Sequence, residues 1–404
     1  MNVGALIPPP VGPMTRPPDT GGSTQEFCMS KQYFFATTAK GVEEVLAAEL
    51  VRLGATDVAA EGGGVRFGGG MEAAYRANLW LRTASRVLMP LGEFACETPE
   101  ELYQGVCALP WRDYLTPEKT LAVDCNLRDS ALTHSGFVAL KTKDAIVDQL
   151  RDHFGSRPNV DTKDPDLRVN VRLFRNRCTV SLDFSGAPLD RRGYRLDRHE
   201  APLKENLAAA LVELTGWDGS TPLVDPMCGT GTIVIEAAMK ALRIPPGLSR
   251  REFGFQRWEG FDGALWDRIV AEARQGVLDG LPAPVQGSDI SHSAINMAAQ
   301  NASRAGVLER ITLSRCQLAE LEPPPGPGVV ILNPPYGKRL GEEEALKPLY
   351  KEIGDTLKKR CKGYTAYLFT GNLELAKSVG LKATRRIVLY NGPIECRLLK
   401  YEMY

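Results

Sequence analysis

Residues 223–232 read LVDPMCGTGT and join a short apolar run to the amphipathic segment TIVIEAAMKAL. An apolar run that ends at Asp225, followed by two glycines and a helical pattern, predicts a strand, a tight loop and a helix. The alternation recurs at PVQGSDI before SAINMAAQNASRAG and at GVVILN before EALKPLYKEIGDTLKKR. Such alternation predicts a doubly wound, mostly parallel sheet of the α/β class. The pair Asn391-Gly392 predicts a closing antiparallel hairpin.

The composition is that of an ordinary globular chain with more than one domain. Its 404 residues exceed the roughly 250–300 that one core usually reaches. Lys and Arg number 49 and Asp and Glu number 49, so any affinity for nucleic acid must come from local basic patches. Nine single cysteines favour a reducing cytoplasm, and with the four histidines they indicate neither a metal site nor a covalent cysteine mechanism. No apolar run approaches the about 18–20 residues of a membrane span.

Upstream of residue 223 the pattern indicates further, separate modules. Residues 1–30 are rich in proline and glycine without a basic n-region, which predicts a disordered tail and makes Met29 a plausible functional start. From Tyr33 the pattern is strand, helix, strand, and residues 71–89, MEAAYRANLWLRTASRVLM, predict one amphipathic helix. The segment DLRVNVRLFRNRCTVSLDFSG predicts two strands about a polar turn at residues 175–177.

Two basic stretches allow either a structural or an RNA-binding interpretation. The predicted hairpin carries Arg168, Arg172, Arg175 and Arg177 with no acid between them, as a phosphate-contacting surface or a solvated edge would. The stretch SRREFGFQRWEGFDGALW, residues 249–266, interleaves arginines with aromatic residues. These could stack bases, although a packed excursion on the rim of the sheet is slightly favoured for the aromatic side chains.

The loop after Asp225 has the features of a cofactor site. Gly229 and Gly231 permit close approach of a ligand to the backbone. A carboxylate at the strand's end can pair with the ammonium group of S-adenosylmethionine. Asp289 ends the next strand of the alternation, where a carboxylate accepts hydrogen bonds from ribose hydroxyls or caps the following helix.

The stretch VVILNPPYG ends an apolar strand at Asn333, and Pro334 and Pro335 make the backbone that follows rigid. The Asn333 Oδ1 atom and the Pro334 carbonyl can accept hydrogens from an exocyclic amino group, whose nitrogen is otherwise a poor nucleophile. Tyr336 offers a flat face to an unstacked base. The stretch taken alone could also be a turn with a capping asparagine, but at the end of a parallel strand the catalytic interpretation is favoured.

In combination, DPMCGTGT, GSD and NPPYG resemble class I S-adenosylmethionine-dependent methyltransferases that act on planar amino groups. With SGAPLDRRGYR, APLKENLAAALV, PNVDTKDPDLRVNVRL and NPPYGKRLGEE, the chain from about Tyr33 onward is similar to bacterial THUMP-domain 23S ribosomal RNA guanine-N2 methyltransferases. This resemblance implies a ferredoxin-like module over 31–90, a THUMP RNA-binding domain over 91–187, a linker over 188–203 and a seven-stranded methyltransferase domain over 204–404.

The resemblance also implies roles for individual residues. Asn333, Pro334, Pro335 and Tyr336 would hold the guanine amino group. The residues that would bind the cofactor, together with Asn333, are Asp225, Pro226, Met227, Cys228, Gly229, Thr230, Gly231, Thr232, Asp289, Ile290 and Gln317. Gln317 stands where the family usually has an aspartate near the adenine amino group, and its carbonyl can still accept from that group.

The expected activity is therefore methylation of a guanine N2 in 23S ribosomal RNA, within an assembling large subunit and without metal or membrane. Some relatives carry a second methyltransferase domain, and a chain that ends at Tyr404 would perform only the N2 reaction. Three other activities stay open: methylation of a transfer-RNA guanine, of an adenine N6 amino group or of a protein glutamine. A non-catalytic ribosome-assembly factor is a further alternative, although the intact motifs argue against it.

Overall fold

The computed structural model describes residues 32–195, 203–337 and 342–404. The predicted tail over residues 1–30, with Met29, and residues 196–202 of the predicted linker lie outside the described residues. None of the helices in the described part is long and apolar enough to cross a membrane.

Residues 32–195 form an α+β arrangement around one sheet. Its elements are β1 (Tyr33–Thr37), α1 (Glu43–Arg52), β2 (Thr56–Glu61), β3 (Gly64–Gly68), α2 (Met71–Trp80), β4 (Arg86–Ala95), α3 (Pro99–Cys107), β5 (Thr120–Arg128), α4 (Ser135–Phe154), β6 (Asn159–Val160), β7 (Leu167–Phe174) and β8 (Arg177–Asp183). The eight strands lie in the order β2-β3-β1-β4-β8-β7-β5-β6. β4 pairs with β1 on one side and β8 on the other, so the ferredoxin-like and THUMP regions share one sheet. The predicted boundary at residue 90 falls inside β4, and the domain boundaries stay a prediction.

The helix predicted over residues 71–89 is wrong in its second half. α2 ends at Trp80, Leu81 takes an extended conformation with ψ 119°, and the chain enters β4 at Arg86. The backbone N–H groups of Arg82 and Thr83 donate to the buried carboxylate of Glu49, each over 3.0 Å, in place of helical carbonyls. A contact with α1 therefore ends this helix, and local apolar spacing could not indicate it.

Residues 203–404 form the second layered unit. Its elements are α5 (Glu205–Leu214), β9 (Leu223–Asp225), α6 (Thr232–Ala241), α7 (Gly263–Gln275), β10 (Val285–Asp289), α8 (His292–Arg304), β11 (Thr312–Arg315), β12 (Val329–Leu332), α9 (Glu342–Arg360), β13 (Thr365–Thr370), α10 (Leu373–Lys377), β14 (Arg385–Asn391) and β15 (Ile394–Glu402). The order is β11-β10-β9-β12-β13-β15-β14. β15 runs antiparallel to both of its neighbours, β13 and β14, and the other neighbouring pairs are parallel. The predicted doubly wound, mostly parallel, seven-stranded sheet is confirmed, and so is the closing hairpin.

The excursion over residues 249–266 packs between the two units. Phe255 stacks on Tyr75 of α2 with ring centroids 4.4 Å apart, and Trp258 meets Phe184 edge-on at 4.6 Å. Arg250 donates to backbone carbonyls of the segment 185–191, including the Pro188 oxygen at 2.7 Å. Phe253, Phe255 and Trp266 are therefore core, and the partly buried Trp258 and Phe261 pack against them, as the packed interpretation predicted.

A buried polar network also joins the two units. Arg192 and Glu236 of α6 form an ion pair at 3.4 Å, with side chains 1% and 0% exposed. The Tyr194 hydroxyl donates to the same carboxylate at 3.1 Å. Arg82, which follows α2, donates to the Ile244 carbonyl at 2.7 Å. Since unpaired buried charges are costly, these contacts hold α6 in place against the N-terminal sheet.

Candidate active site

The candidate site lies where the strand order reverses, at the carboxyl ends of β9 and β12. These strands pair in parallel with Val224 opposite Val330, so the chain leaves β9 at Asp225 close to where β12 reaches Asn333. In doubly wound sheets ligands bind at this switch point. The two predicted motifs, more than 100 positions apart in the sequence, therefore lie at one edge of the sheet.

The glycine loop after β9 makes a tight turn into α6. Gly229 and Gly231 have φ values of 52° and 82°, which favour glycine. A Cβ atom at Gly231 would lie 3.0 Å from the Ala298 Cβ, so the loop also needs glycine for its close packing on α8. The Gly229 N–H donates to Asp289 Oδ2 at 2.9 Å, and the Cys228 N–H donates to the Ser288 carbonyl at 2.9 Å. These bonds tie the loop to the end of β10.

Asp225 is a buried carboxyl group with one described hydrogen bond. It is 1% exposed, and its Oδ1 accepts from the Met227 N–H at 3.1 Å. Burial raises the pKa of Asp225 from 3.8 to about 8, and the nearby charge of Asp289 adds to the increase. A cation placed beside this group would favour its ionised form, because desolvation is what opposes ionisation.

The end of β10 presents an acidic and an apolar side chain together. Asp289 accepts the Gly229 N–H on one oxygen and the Ser291 N–H, at 2.9 Å, on the other. The N-cap of α8 is Ser291, whose hydroxyl accepts from the Ala294 N–H, so Asp289 itself does not cap the helix. Ile290 is 65% exposed although it is apolar, and Gln317 lies exposed just after β11. A carboxylate with lone pairs to spare beside an open apolar face fits an adenosine group.

The NPPY segment holds an unpartnered acceptor. Asn333 Oδ1 is buried and has no hydrogen-bond partner among the described residues. The Pro335 carbonyl accepts from the Tyr350 hydroxyl at 3.3 Å, and the Tyr336 hydroxyl accepts from Asn391 Nδ2 at 3.0 Å. Burial raises the pKa of Tyr336, so the phenol stays neutral at physiological pH. Tyr350 and Asn391, which support this segment from α9 and β14, carry no motif by which the sequence could have identified them.

Arg195 is a further residue near the cofactor loop that the sequence did not single out. It donates to the Thr232 hydroxyl at 2.7 Å and to the Leu203 carbonyl at 2.9 Å. It also lies 3.4 Å from the Glu205 carboxylate. Arg195 therefore joins the start of α5 to the start of α6, beside the glycine loop.

The basic hairpin lies on β7 and β8, with its turn at Arg175 and Asn176, both at positive φ. Arg168 pairs with Asp124 at 2.9 Å, and Arg177 pairs with Glu93 at 2.6 Å. Of the four arginines predicted to bind phosphate, Arg168 and Arg177 are thus offset by acids from neighbouring strands. Arg172 and Arg175 lie over the ring of Phe174, 5.4 and 5.0 Å from its centroid. Their charges are what the hairpin can offer to an anion.

Metal ligation has no support in the described ranges, where no group of three or more His, Cys, Asp or Glu could hold a metal ion.

Comparison with known proteins places three domain families along the chain. The RlmL ferredoxin-like domain matches residues 33–88, the THUMP domain matches 96–183, and the RMKL-like methyltransferase domain matches 192–400. These matches follow one another in the order that the sequence motifs predicted.

Individual proteins are similar over most of the chain. A candidate RNA methyltransferase of Synechocystis sp. is 43% identical over 94% of this chain and 99% of its own length. The ribosomal RNA large subunit methyltransferase K/L of Syntrophotalea carbinolica is 46% identical over 92% of this chain and 53% of its own length. The chain thus spans about half the length of that K/L relative. A crystal structure of a candidate methyltransferase complexed with SAH aligns with a TM-score of 0.85 and 34% identity, over 93% of this chain and 99% of that one.

Proposed function

The chain belongs to the RMKL-like methyltransferase family, and from this premise we propose that it methylates the N2 amino group of a guanine in 23S ribosomal RNA, with S-adenosylmethionine as donor. The observation that carries the proposal is the buried Asn333 Oδ1 at the switch point, next to the loop of Asp225, for which the described residues provide no hydrogen-bond partner. An acceptor without a partner costs free energy unless a donor arrives. An amino group, which has two hydrogens to donate, is a suitable hydrogen-bond donor for the Asn333 Oδ1 atom.

Each residue at this edge has a part in placing the reactants. When bound, S-adenosylmethionine supplies a methyl group on a positively charged sulfur, which is a good leaving group. Asp225 would pair with its ammonium group, and Asp289 and Ile290 would hold its ribose and adenine. Asn333 Oδ1 and the Pro334 carbonyl would accept the two N2 hydrogens, which helps the nitrogen to pyramidalise, and the proton that N2 loses on methylation would pass to solvent water. Because no strong base is needed, placement accounts for most of the rate enhancement.

The proposed substrate rests on the N-terminal half and on the relatives. The K/L relative is named for methylation of large-subunit ribosomal RNA, and residues 96–183 match a THUMP domain. A guanine N2, an assembling large subunit and a cytoplasmic location are further parts of the proposal. Arg172 and Arg175 are the hairpin charges that we expect to meet RNA phosphates.

The test combines a deletion strain with a point variant. Mass mapping of RNA from the deletion strain should show one N2-methylguanine missing from 23S RNA, and re-expression should restore it. Loss of a methyl group from a transfer-RNA guanine instead would refute the ribosomal RNA assignment, and loss from an adenine N6 or a protein glutamine would refute the guanine assignment.

In vitro, Asn333→Ala should keep its affinity for S-adenosylmethionine and lose methylation about 100- to 1,000-fold, as loss of one oriented hydrogen bond in a catalytic site typically does. Asn159→Ala, on the exposed strand β6, is the matched control and should keep full activity. An active Asn333→Ala enzyme would remove the amino-group role.

A further inference from the structure

A second concave site lies directly beside the NPPY segment. It is a pocket of about 370 Å³ at the carboxyl end of β13, within the about 300–1,000 Å³ range of ligand sites. Thr370 and Arg397, which are paired across β13 and β15, lie on its wall together with Gly371, Asn372 and Glu343. We refer to it as the β13 pocket.

The β13 pocket adjoins the NPPY segment through residues of its wall. The Tyr350 hydroxyl contacts both the Pro335 carbonyl, at 3.3 Å, and the Thr370 hydroxyl, at 3.0 Å. A Cβ atom at Gly371 would lie 3.0 Å from the Tyr336 ring, so only a glycine lets this wall approach the ring so closely. A base held against Tyr336 would therefore extend toward the β13 pocket.

The acids of the β13 pocket differ in their partners. Glu374 is paired with Lys377 at 2.7 Å, and Glu395 is paired with Arg397 at 2.7 Å. In the part of the chain that the structure describes, no ion pair engages Glu343. Its Oε1 instead accepts from Asn372 Nδ2 at 2.8 Å.

Asn372 is itself immobilised. It caps α10, and its Oδ1 accepts from two backbone N–H groups at 3.0 and 3.1 Å. Glu343 is therefore an oriented carboxylate with acceptor capacity left over. Arg397, which also lines the pocket, pairs with Glu395 through Nη2 and donates from Nη1 to the Cys396 carbonyl, and its guanidinium has further N–H groups to donate.

We propose that the β13 pocket receives the N1–O6 edge of the target guanine and distinguishes guanine from adenine. Glu343 accepts a hydrogen bond from N1–H, and Arg397 donates to O6. This inference rests on the proposed function, since it concerns the base whose N2 Asn333 holds. Adenine presents the reverse pattern, with an acceptor at N1 and a donor at position 6. Adenine would place its N1 lone pair against the Glu343 carboxylate and its 6-amino group against the Arg397 guanidinium. Both contacts are repulsive, and repulsive contacts exclude a wrong partner effectively.

The experiment replaces one edge of the base while it keeps the reacting group. An RNA oligonucleotide carries the mapped target nucleotide either as guanine or as 2,6-diaminopurine, which retains the 2-amino group but has an acceptor at N1 and an amino group at position 6. The wild-type enzyme should prefer guanine by about 10- to 100-fold in kcat/KM. Glu343→Gln, whose amide can donate to the diaminopurine N1, should reduce that preference to about threefold or less.

Glu344→Gln is the matched control. Glu344 lies next to Glu343 on α9 but pairs with Lys347 at 2.5 Å and does not line the pocket, so this variant should keep the wild-type preference. Glu343→Asp, which keeps the carboxylate, should keep the preference at a lower rate. An unchanged preference in Glu343→Gln overturns the proposal. Failure of the wild-type enzyme to methylate guanine N2 overturns the proposed function instead, so the two failures are distinguishable.

Discussion

The raised pKa of Asp225 predicts that cofactor affinity increases with pH. Burial places this pKa at about 8, so the free protein holds Asp225 mainly protonated between about pH 6 and 7. On our proposal the bound ammonium group favours the carboxylate, and the pKa is lower in the complex. Binding in this range therefore releases a proton from Asp225. Because the ionised form binds and its population grows with pH, the Kd falls as the pH rises.

The magnitude follows from the ionised fraction. With a pKa of about 8, roughly 1% of Asp225 is ionised at pH 6 and roughly 9% at pH 7. The affinity should therefore rise roughly ninefold over this unit, or about 1.3 kcal/mol. The useful range ends near pH 7.5, because the amino group of the ligand loses its proton at about 7.7–8.0.

Isothermal calorimetry measures both quantities. Titrations with S-adenosylmethionine in two buffers of different ionisation enthalpy give the Kd and the number of protons released. S-adenosylhomocysteine, which keeps the ammonium group but lacks the sulfonium charge, should show the same dependence on pH. A wild-type affinity that is constant between about pH 6 and 7.5, with no proton released, would refute the reasoning.

Asp225→Asn separates this group from every other titrating group. The variant should bind the cofactor more weakly and without dependence on pH in the same range. The substitution should not unfold the protein. In the folded state the Asp225 carboxyl keeps its proton up to about pH 8, whereas in the unfolded chain it loses that proton above about pH 3.8. Stability contributed by the native Asp225 therefore decreases as the pH rises from there to about 8, and asparagine removes that loss. Asp218→Asn, an exposed group bound to Ser220, is the control and should behave as wild type.

Two further predictions concern RNA binding and stability. The double variant Arg172→Ala/Arg175→Ala should weaken RNA binding and reduce the salt slope of log K by about 2, measured by filter binding at several salt concentrations. The control Arg177→Ala should change neither quantity, because Glu93 already offsets that charge. If the double variant binds RNA as the wild type does, the hairpin is a solvated edge. Glu236→Gln should lower the free energy of unfolding, measured by urea titration, by about 3–5 kcal/mol, because it leaves the buried guanidinium of Arg192 without its counter-charge. A loss below about 1 kcal/mol would contradict the ion pair between these two residues.

Local patterns in the sequence predicted the strand–helix alternation of the methyltransferase sheet and its closing hairpin, whereas the count of seven strands was implied by the resemblance. Apolar runs followed by Asp225, Asp289 and Asn333 identified three strand ends, because the side chains needed there follow directly from the strand that presents them. The glycine pair was equally local, since positive φ is a property of single residues. The hairpin strands β7 and β8 were also predicted, because alternation of apolar and polar residues has a period of two residues in a strand.

Where contacts between residues far apart in the sequence decide the structure, prediction from local patterns was wrong or incomplete. The helix over residues 71–89 was overextended because Glu49, more than 30 positions upstream, supplies the acceptor that ends it. The four hairpin arginines looked alike in the sequence, yet among the described residues acids on other strands form ion pairs with Arg168 and Arg177 and not with Arg172 or Arg175.

The sequence by itself indicated which strands end at candidate site residues: the carboxyl of Asp225, the glycine loop after it and the acceptor of Asn333. Only the tertiary structure decided what surrounds them. It buried Asp225 enough to raise its pKa, left Asn333 Oδ1 without a described partner, and brought Glu343 and Arg397 to the pocket beside Tyr336. The physical reason is that desolvation and pairing depend on neighbours in space, and these neighbours come from helices and strands far apart in the chain.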